Sequence, residues 1–186
     1  RAAVYGKHSS QNPINETTVT LPINPYGESK LMVEKILVGY HKAYGLKSIS
    51  LRYFNVAGAT KLFGEDHHPE THLIPRLLHA ALHQTEPIPI FGTEHNTKDG
   101  TAVRDFIHVE DLAVAHVNAL DRIDSLSHGV FNLGSGLGYS VLEVIESVER
   151  ITKGKLRWTA ANPRAGDPPT LVADKSAAKR SLNSPP

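Results

Sequence analysis

The chain has 186 residues, 40% of them hydrophobic, with 14 Gly, 12 Pro and no Cys, which is apolar material for one sizeable core or one and a half small ones. Twenty Lys and Arg against 19 Asp and Glu leave a formal charge of +1, and no basic run gathers into a stripe, so nucleic acid is not an expected partner. Without Cys there are no disulfides, thiolate nucleophiles or zinc–thiolate centres, which suits a reducing, cytoplasmic compartment.

No apolar stretch approaches the roughly 18 residues of a membrane span, and the opening residues lack the charged and apolar regions of a targeting signal, so no membrane partner is expected. Met32 is the one methionine, so Arg1 is not read as a natural start.

Short β-branched or aromatic runs alternate with longer helical periodicities, and no internal repeat appears, which predicts an α/β fold. In chain order, 7–24 reads as a polar loop. A helix follows over 25–44, opened by Asn24 as cap and Pro25 at the first helical position. A strand is expected at 48–54, a helix at 72–83, a strand at 87–91, a loop at 92–101, a strand at 103–109 and a helix at 110–123. The strand at 130–133 runs into Gly134-Ser135-Gly136-Leu137-Gly138, read as a tight turn before a helix over 141–152 that Ser140 and Glu143 open as a capping box. A strand at 156–159 and a loop at 162–169 come next, and 181–186 carries no packing signal.

Tyr26 and Lys30 stand four residues apart at the start of the first helix, so phenol and ammonium share a face. At about 100° per residue, Tyr26, Lys30, Val33, Leu37, Tyr40 and Tyr44 fall in one sector, with Glu28, Lys35 and Lys42 opposite, which predicts that Lys30 lies on the apolar side. Two readings stay open on pattern. Lys30 snorkels to water beside an ordinary packing Tyr26, or the ammonium favours the phenolate, so that Tyr26 can take a proton from a substrate hydroxyl. The second suits oxidation of an alcohol, yet no glycine-rich dinucleotide fingerprint follows an early strand; in 134–138 the third glycine falls one residue early.

Several blocks together resemble the UDP-glucose 4-epimerases of the extended short-chain dehydrogenase/reductase superfamily. They are Ala2-Ala3-Val4-Tyr5-Gly6, Asn24-Pro25-Tyr26-Gly27-Glu28-Ser29-Lys30-Leu31, Leu51-Arg52-Tyr53-Phe54-Asn55, His72-Leu73-Ile74-Pro75 and Ile90-Phe91-Gly92. The Asp99-Gly100-Thr101-Ala102-Val103-Arg104-Asp105-Phe106-Ile107-His108-Val109, Phe131-Asn132-Leu133-Gly134-Ser135-Gly136 and Arg164-Ala165-Gly166-Asp167-Pro168 blocks complete the likeness, which covers nearly the whole chain.

The resemblance implies the carboxy-terminal part of a Rossmann-like, doubly wound parallel sheet (1–59) plus a smaller α/β UDP-sugar-binding unit (60–186), with the strand near 130–133 returning to the first sheet. It implies Tyr26 as the base at the sugar 4-hydroxyl, hydride passing between sugar C4 and NAD, and Lys30 assisting the phenol and holding the nicotinamide ribose. Tyr53 then lies against the nicotinamide, and Asn55, His72, Leu73, Pro89, Phe91, Arg104, Arg164 and Asp167 surround the UDP-sugar. A homodimer formed through helices 25–44 and 72–83 is implied in the same way.

The family places Ser or Thr where this chain has Arg1, and most of its dinucleotide-binding domain lies upstream. The expectation is therefore an inactive fragment that does not bind NAD alone. Competing readings are a sister epimerase acting on UDP-N-acetylglucosamine or UDP-glucuronate, a 4,6-dehydratase (disfavoured because Ala2-Ala3 offers no acidic pair), and a non-catalytic sugar-nucleotide-binding module. Leu171, at the family's gate beside the sugar, is of intermediate size. The His68/His72 and His79/His83 spacings lack a third ligand and an H-E-x-x-H motif, so no metal site is expected.

Overall fold

The computed structural model describes residues 2–6, 13–83 and 86–183. Within them a short 3₁₀ turn, Ala2–Val4, precedes helix α1 (Pro25–Tyr44), strands β1 (Ser48–Tyr53) and β2 (Asn55–Ala57), helix α2 (Leu73–His83), and strands β3 (Ile88–Phe91) and β4 (Val103–His108). Helix α3 (Val109–Leu126), strands β5 (His128–Leu133) and β6 (Gly138–Ser140), helix α4 (Val141–Thr152), strands β7 (Trp158–Ala161) and β8 (Thr170–Leu171) and helix α5 (Ser176–Leu182) complete it. The fold is α/β, as expected.

Both helices with strong start signals begin where those signals stand. The Asn24 side chain accepts from the Gly27 amide at 2.8 Å with Pro25 in the first turn, which satisfies an otherwise orphaned helix donor. At α4 the Ser140 hydroxyl accepts from the Glu143 amide (3.1 Å) while the Glu143 carboxylate accepts from the Ser140 amide (2.9 Å). Gly45, in the left-handed conformation at φ 68°, ends α1, where an L side chain would be strained.

Three small sheets organise the strands. β1 and β5 pair in parallel with Tyr53 opposite Leu133. β4 pairs in parallel with β2 and β8 and antiparallel with β6, and β3 pairs in parallel with β7. Parallel neighbours need crossovers, which helices α2, α3 and α4 help supply.

The apolar residues gather into three cores. Ile107, Leu112, Ala115, Ala119, Phe131 and Leu133 form the first, closed by Ala178 and Leu182 of α5. Val4, Tyr5, Ile14, Leu31 and Phe54 are central to the second, and Leu77, Ile88, Ile90, Ile145 and Val148 to the third. Leu182 is fully buried, which corrects the expectation that packing ends before 181. Residues 184–186, with 7–12 of the expected polar loop, lie outside the described residues.

The inner stripe of α1 also differs from expectation. Its buried residues are Gly27 and Leu31, continued by the largely buried Glu34 carboxylate and by the partly covered Val38 and His41. The Tyr26–Tyr44 sector is as apolar as read but, apart from the partly covered Leu37, points outward: Tyr26 is 47% exposed, Val33 52% and Tyr40 53%. Lys30 is exposed with them. The difference arises because a glycine and an ion-paired glutamate, neither of which registers as apolar, hold the inner face.

Candidate active site

Helix α1 runs back along β1, and its contacts fix which end of the sheet its first turn reaches. His41, near the helix end, stacks on His128 at the start of β5, ring centroids 5.2 Å apart. About two turns earlier, Glu34 pairs with Arg52 near the end of β1 through two contacts of 2.9 and 2.6 Å. The first turn of α1 therefore projects past the carboxyl ends of the parallel β1–β5 pair, the place where open α/β sheets bind their ligands. Tyr26 and Lys30 stand at this end of the helix, with the Lys30 ammonium 5.2 Å from the centre of the Tyr26 ring.

Beneath the turn lies a buried polar cluster that motif reading did not single out. The Tyr5 hydroxyl donates to Asn132 Oδ1 at 2.6 Å and accepts from Arg52 at 2.9 Å, and the guanidinium also lies 4.8 Å from the Tyr5 ring centre. Asn132 in turn donates through Nδ2 to the Ile14 carbonyl (2.9 Å) and through its amide to Glu16 (2.7 Å). Burial raises the Tyr5 phenol above its ordinary value against the opposing pull of Arg52. Burial works to lower Arg52, but hydrogen bonding to Glu34 and the nearby Tyr5 outweigh it, so the guanidinium stays charged. A sequence signal existed in Leu51-Arg52-Tyr53, an arginine in an otherwise apolar strand, since a charge placed there needs a partner.

The second half of the site forms around 164–167. Arg104 Nη2 donates to Asp167 Oδ1 at 2.5 Å, and Nη1 donates to the carbonyls of Val103 and Pro169. The Asp167 amide donates to the Arg164 carbonyl at 3.1 Å, and the Arg164 guanidinium lies 4.3 Å from the Phe91 ring centre. Phe91 can serve this way because β3 alternates: Ile88 and Ile90 enter the third core, while Pro89 and Phe91 face the other side half-covered. Arg104, Arg164, Asp167 and Phe91 are thus joined in one cluster, with Pro89 on the Phe91 face of its strand.

The remaining expected residues lie as follows. Tyr53 ends β1 half-buried, with its ring centre 6.1 Å from that of His116. Asn55 opens β2 opposite Phe106, so both Tyr53 and Asn55 sit at the carboxyl end of β1. Leu73 packs at the margin of the third core. His72 is exposed and contacts its own loop, with Nδ1 2.9 Å from Glu70 and 3.8 Å from Glu65. Potential ligand atoms of Glu65, Glu70 and His72 lie within 4.8 Å of one another. The backbone amide of His72, donating to Glu70 at 2.6 Å, is the largest cause of the lowering of the Glu70 carboxyl. Among the described residues no helix is long and apolar enough to cross a membrane.

Residues 2–134 match the model of the NAD dependent epimerase/dehydratase family. The chain belongs to that family. A UDP-glucose 4-epimerase of Lactobacillus helveticus is 48% identical over 184 residues, 97% of this chain and 56% of that protein. The solved UDP-glucose 4-epimerase of Brucella ovis in complex with NAD matches with TM-score 0.91 and 43% identity, covering 98% of this chain and 57% of that one. That of Bifidobacterium longum in complex with NAD+ and UDP matches with TM-score 0.91 and 41% identity, over 98% and 56%. The chain thus spans about half the length of the curated relatives it matches, and its α/β architecture is that of Rossmann-like epimerases. This family member carries both the tyrosine–lysine turn and the two-arginine cluster within one half-length segment.

Proposed function

We propose that the full-length protein containing this chain is a UDP-glucose 4-epimerase that interconverts UDP-glucose and UDP-galactose with NAD as cofactor. The observation that carries this reading is the cluster built by 164–167: two guanidiniums, a carboxylate and an aromatic face assembled from β3, β4 and one loop. Guanidiniums grip a diphosphate bidentately, a carboxylate accepts from ribose hydroxyls, and an aromatic ring offers a stacking face. Pro89, Asn55, His72 and Leu73 complete the surround of the UDP-sugar in this reading.

The chain's own residues fit a nicotinamide and its ribose. Tyr26 and Lys30 present hydroxyl and ammonium at an open surface past the strand ends, with Tyr53 at the end of β1. When bound, NAD supplies the reversible hydride acceptor that lets C4 of the sugar pass through a ketone. Tyr26 as the phenolate accepts the proton of the sugar 4-hydroxyl, becoming neutral phenol, and gives it back to the 4-oxygen when C4 is reduced from its other face; Lys30 is the counter-charge to the phenolate and holds a ribose hydroxyl. Arg104 and Arg164 keep the diphosphate anchored while the sugar presents its other face.

In the same reading, 1–59 belongs to the cofactor-binding unit and 60–186 to the sugar-nucleotide unit, with the strand near 130–133 returning to the first sheet; the separate third core supports the second unit and the pairing of β5 with β1 supports that return. The outward apolar row Met32, Val33, Ile36 and Tyr40 supports a homodimer through α1. The absence of Cys supports a cytoplasmic location.

Incubating the full-length protein with UDP-galactose is expected to yield UDP-glucose without added reductant, followed by proton NMR of the anomeric signals. Parallel incubations with UDP-N-acetylglucosamine and UDP-glucuronate identify the sister activities, and conversion of one of these in place of UDP-galactose would overturn the substrate assignment.

A further inference from the structure

Asp105 is fully buried, and neither the tyrosine–lysine turn nor the arginine cluster uses it. Its carboxylate accepts four hydrogen bonds, all from neutral donors. Oδ1 takes the amide and hydroxyl of Ser135 at 2.7 and 2.8 Å, and Oδ2 takes the amides of Gly136 and Ala173, both at 3.0 Å. An ionised carboxylate taken out of water costs several kcal/mol unless its lone pairs are filled, so the residue must hold together what fills them. Those donors come from two segments far apart in sequence, the turn after β5 and the stretch that follows the 164–167 loop.

The geometry of β4 gives the arrangement its consequence. Successive strand residues point to opposite faces, and Arg104 and Asp105 grip the same returning segment from the two sides. Arg104 holds Asp167 and the Pro169 carbonyl, and Asp105 holds the Ala173 amide. Between these grips lies β8, two residues long, with Thr170 opposite Val103 and Leu171 opposite Arg104. So short a strand adds little pairing of its own; the segment is also held by the Val103 amide donating to the Pro169 carbonyl and, on its other side, by Ile14, which donates to the Val172 carbonyl and accepts from the Asp174 amide. Asp105 is the side-chain clamp added to those backbone bonds. The turn is held tightly as well: a Cβ on Gly134 would come within 2.5 Å of Asp105 Oδ2, and Lys175 donates to the Ser135 carbonyl at 2.5 Å.

We propose that Asp105 is a positioning residue for the sugar-nucleotide site: by fixing the register of β8 on β4, it sets Asp167 and Arg164 at the distance from Arg104 that a diphosphate and its ribose require. This inference rests on the function proposed above.

Asp105→Asn keeps the shape but puts an NH₂ against donors, so either the Ser135 pair or the Gly136–Ala173 pair loses its acceptor. In the full-length protein the expected result is a KM for UDP-galactose raised about tenfold or more, equivalent to at least about 1.4 kcal/mol of binding. kcat should stay within about threefold, and the bound NAD content should be unchanged, because Tyr26 and Lys30 sit on another element. A double-mutant cycle with Asp167→Ala separates positioning from general damage: if Asp105 acts through the 164–167 loop, its KM effect largely disappears once Asp167 is gone. Should Asp105→Asn not fold, Ser135→Ala, which removes one hydroxyl donor and leaves the three amides, is expected to raise KM in the same direction by about two- to fivefold. An unchanged KM, a fall in kcat matched by NAD loss, or effects that simply add in the cycle overturns the proposal. A wild-type protein that converts no UDP-galactose overturns the proposed function instead, and UDP titration of wild type and Asp105→Asn then decides the positioning role: at least about tenfold weaker binding supports it and equal binding refutes it.

Discussion

Replacing Tyr26 by Phe in the full-length protein is expected to lower kcat for epimerisation of UDP-galactose by about 10²–10⁴-fold, the range for a positioned general acid–base group. That is roughly 3–5 kcal/mol of transition-state stabilisation. KM is expected to move less than about threefold, because the ring itself is retained and the groups assigned to the diphosphate, Arg104 and Arg164, are untouched. The expectation follows from placement: Tyr26 lies on a helix turn past the carboxyl ends of β1 and β5, with the Lys30 ammonium 5.2 Å from its ring centre. Steady-state kinetics decides it, and a Tyr26→Phe enzyme within about tenfold of wild-type kcat would remove Tyr26 from the chemistry.

The largest stability effect is expected at Arg52. Its ion pair with Glu34 is nearly enclosed, with side-chain exposures of 6% and 12%, and the same guanidinium donates to the buried Tyr5 hydroxyl. Arg52→Met leaves the Glu34 carboxylate covered and unpaired, at a cost of about 3–5 kcal/mol. Replacing both partners, Glu34→Leu with Arg52→Met, should recover much of that loss, because an apolar pair of similar volume avoids the desolvation of two charges. Denaturant unfolding checks both variants: the midpoint of Arg52→Met should fall with little change in slope, and the double variant should lie nearer the wild type. A loss under about 1 kcal/mol for the single variant would show that the pair is screened like a surface one.

How much of this was legible in the sequence follows from where the deciding energies lie. Helices α1 and α4 could be bounded because Asn24, Pro25, Ser140 and Glu143 act on their own neighbours, and local chemistry is written locally. Strands β2, β6 and β8, two or three residues each, were not legible, since they are strands only through pairing with β4. Helix α5 has Ala178 and Leu182 as its only buried residues, too few for a periodic signal.

The site divides in the same way. Tyr26 and Lys30 were visible as a spacing, but the direction they face depended on Glu34 being drawn inward by Arg52, eighteen residues away along the chain. The joining of Arg104 to Asp167 and of Phe91 to Arg164 is long-range, and resemblance located these residues where periodicity could not. Asp105 carried a weak signal of its own: an acid on the same strand face as the buried Ile107 has to be filled with donors.

In the proposed function the full-length protein oxidises and re-reduces the same sugar carbon, with Tyr26 moving the proton. Supplying the full-length protein with UDP-galactose deuterated at C4 and following the product by mass spectrometry and proton NMR tests this most directly. The expected product is UDP-glucose that keeps the deuterium at C4, with no solvent hydrogen incorporated there and no net reduced cofactor. Exchange of the C4 deuterium with water, or inversion at another carbon, would contradict it.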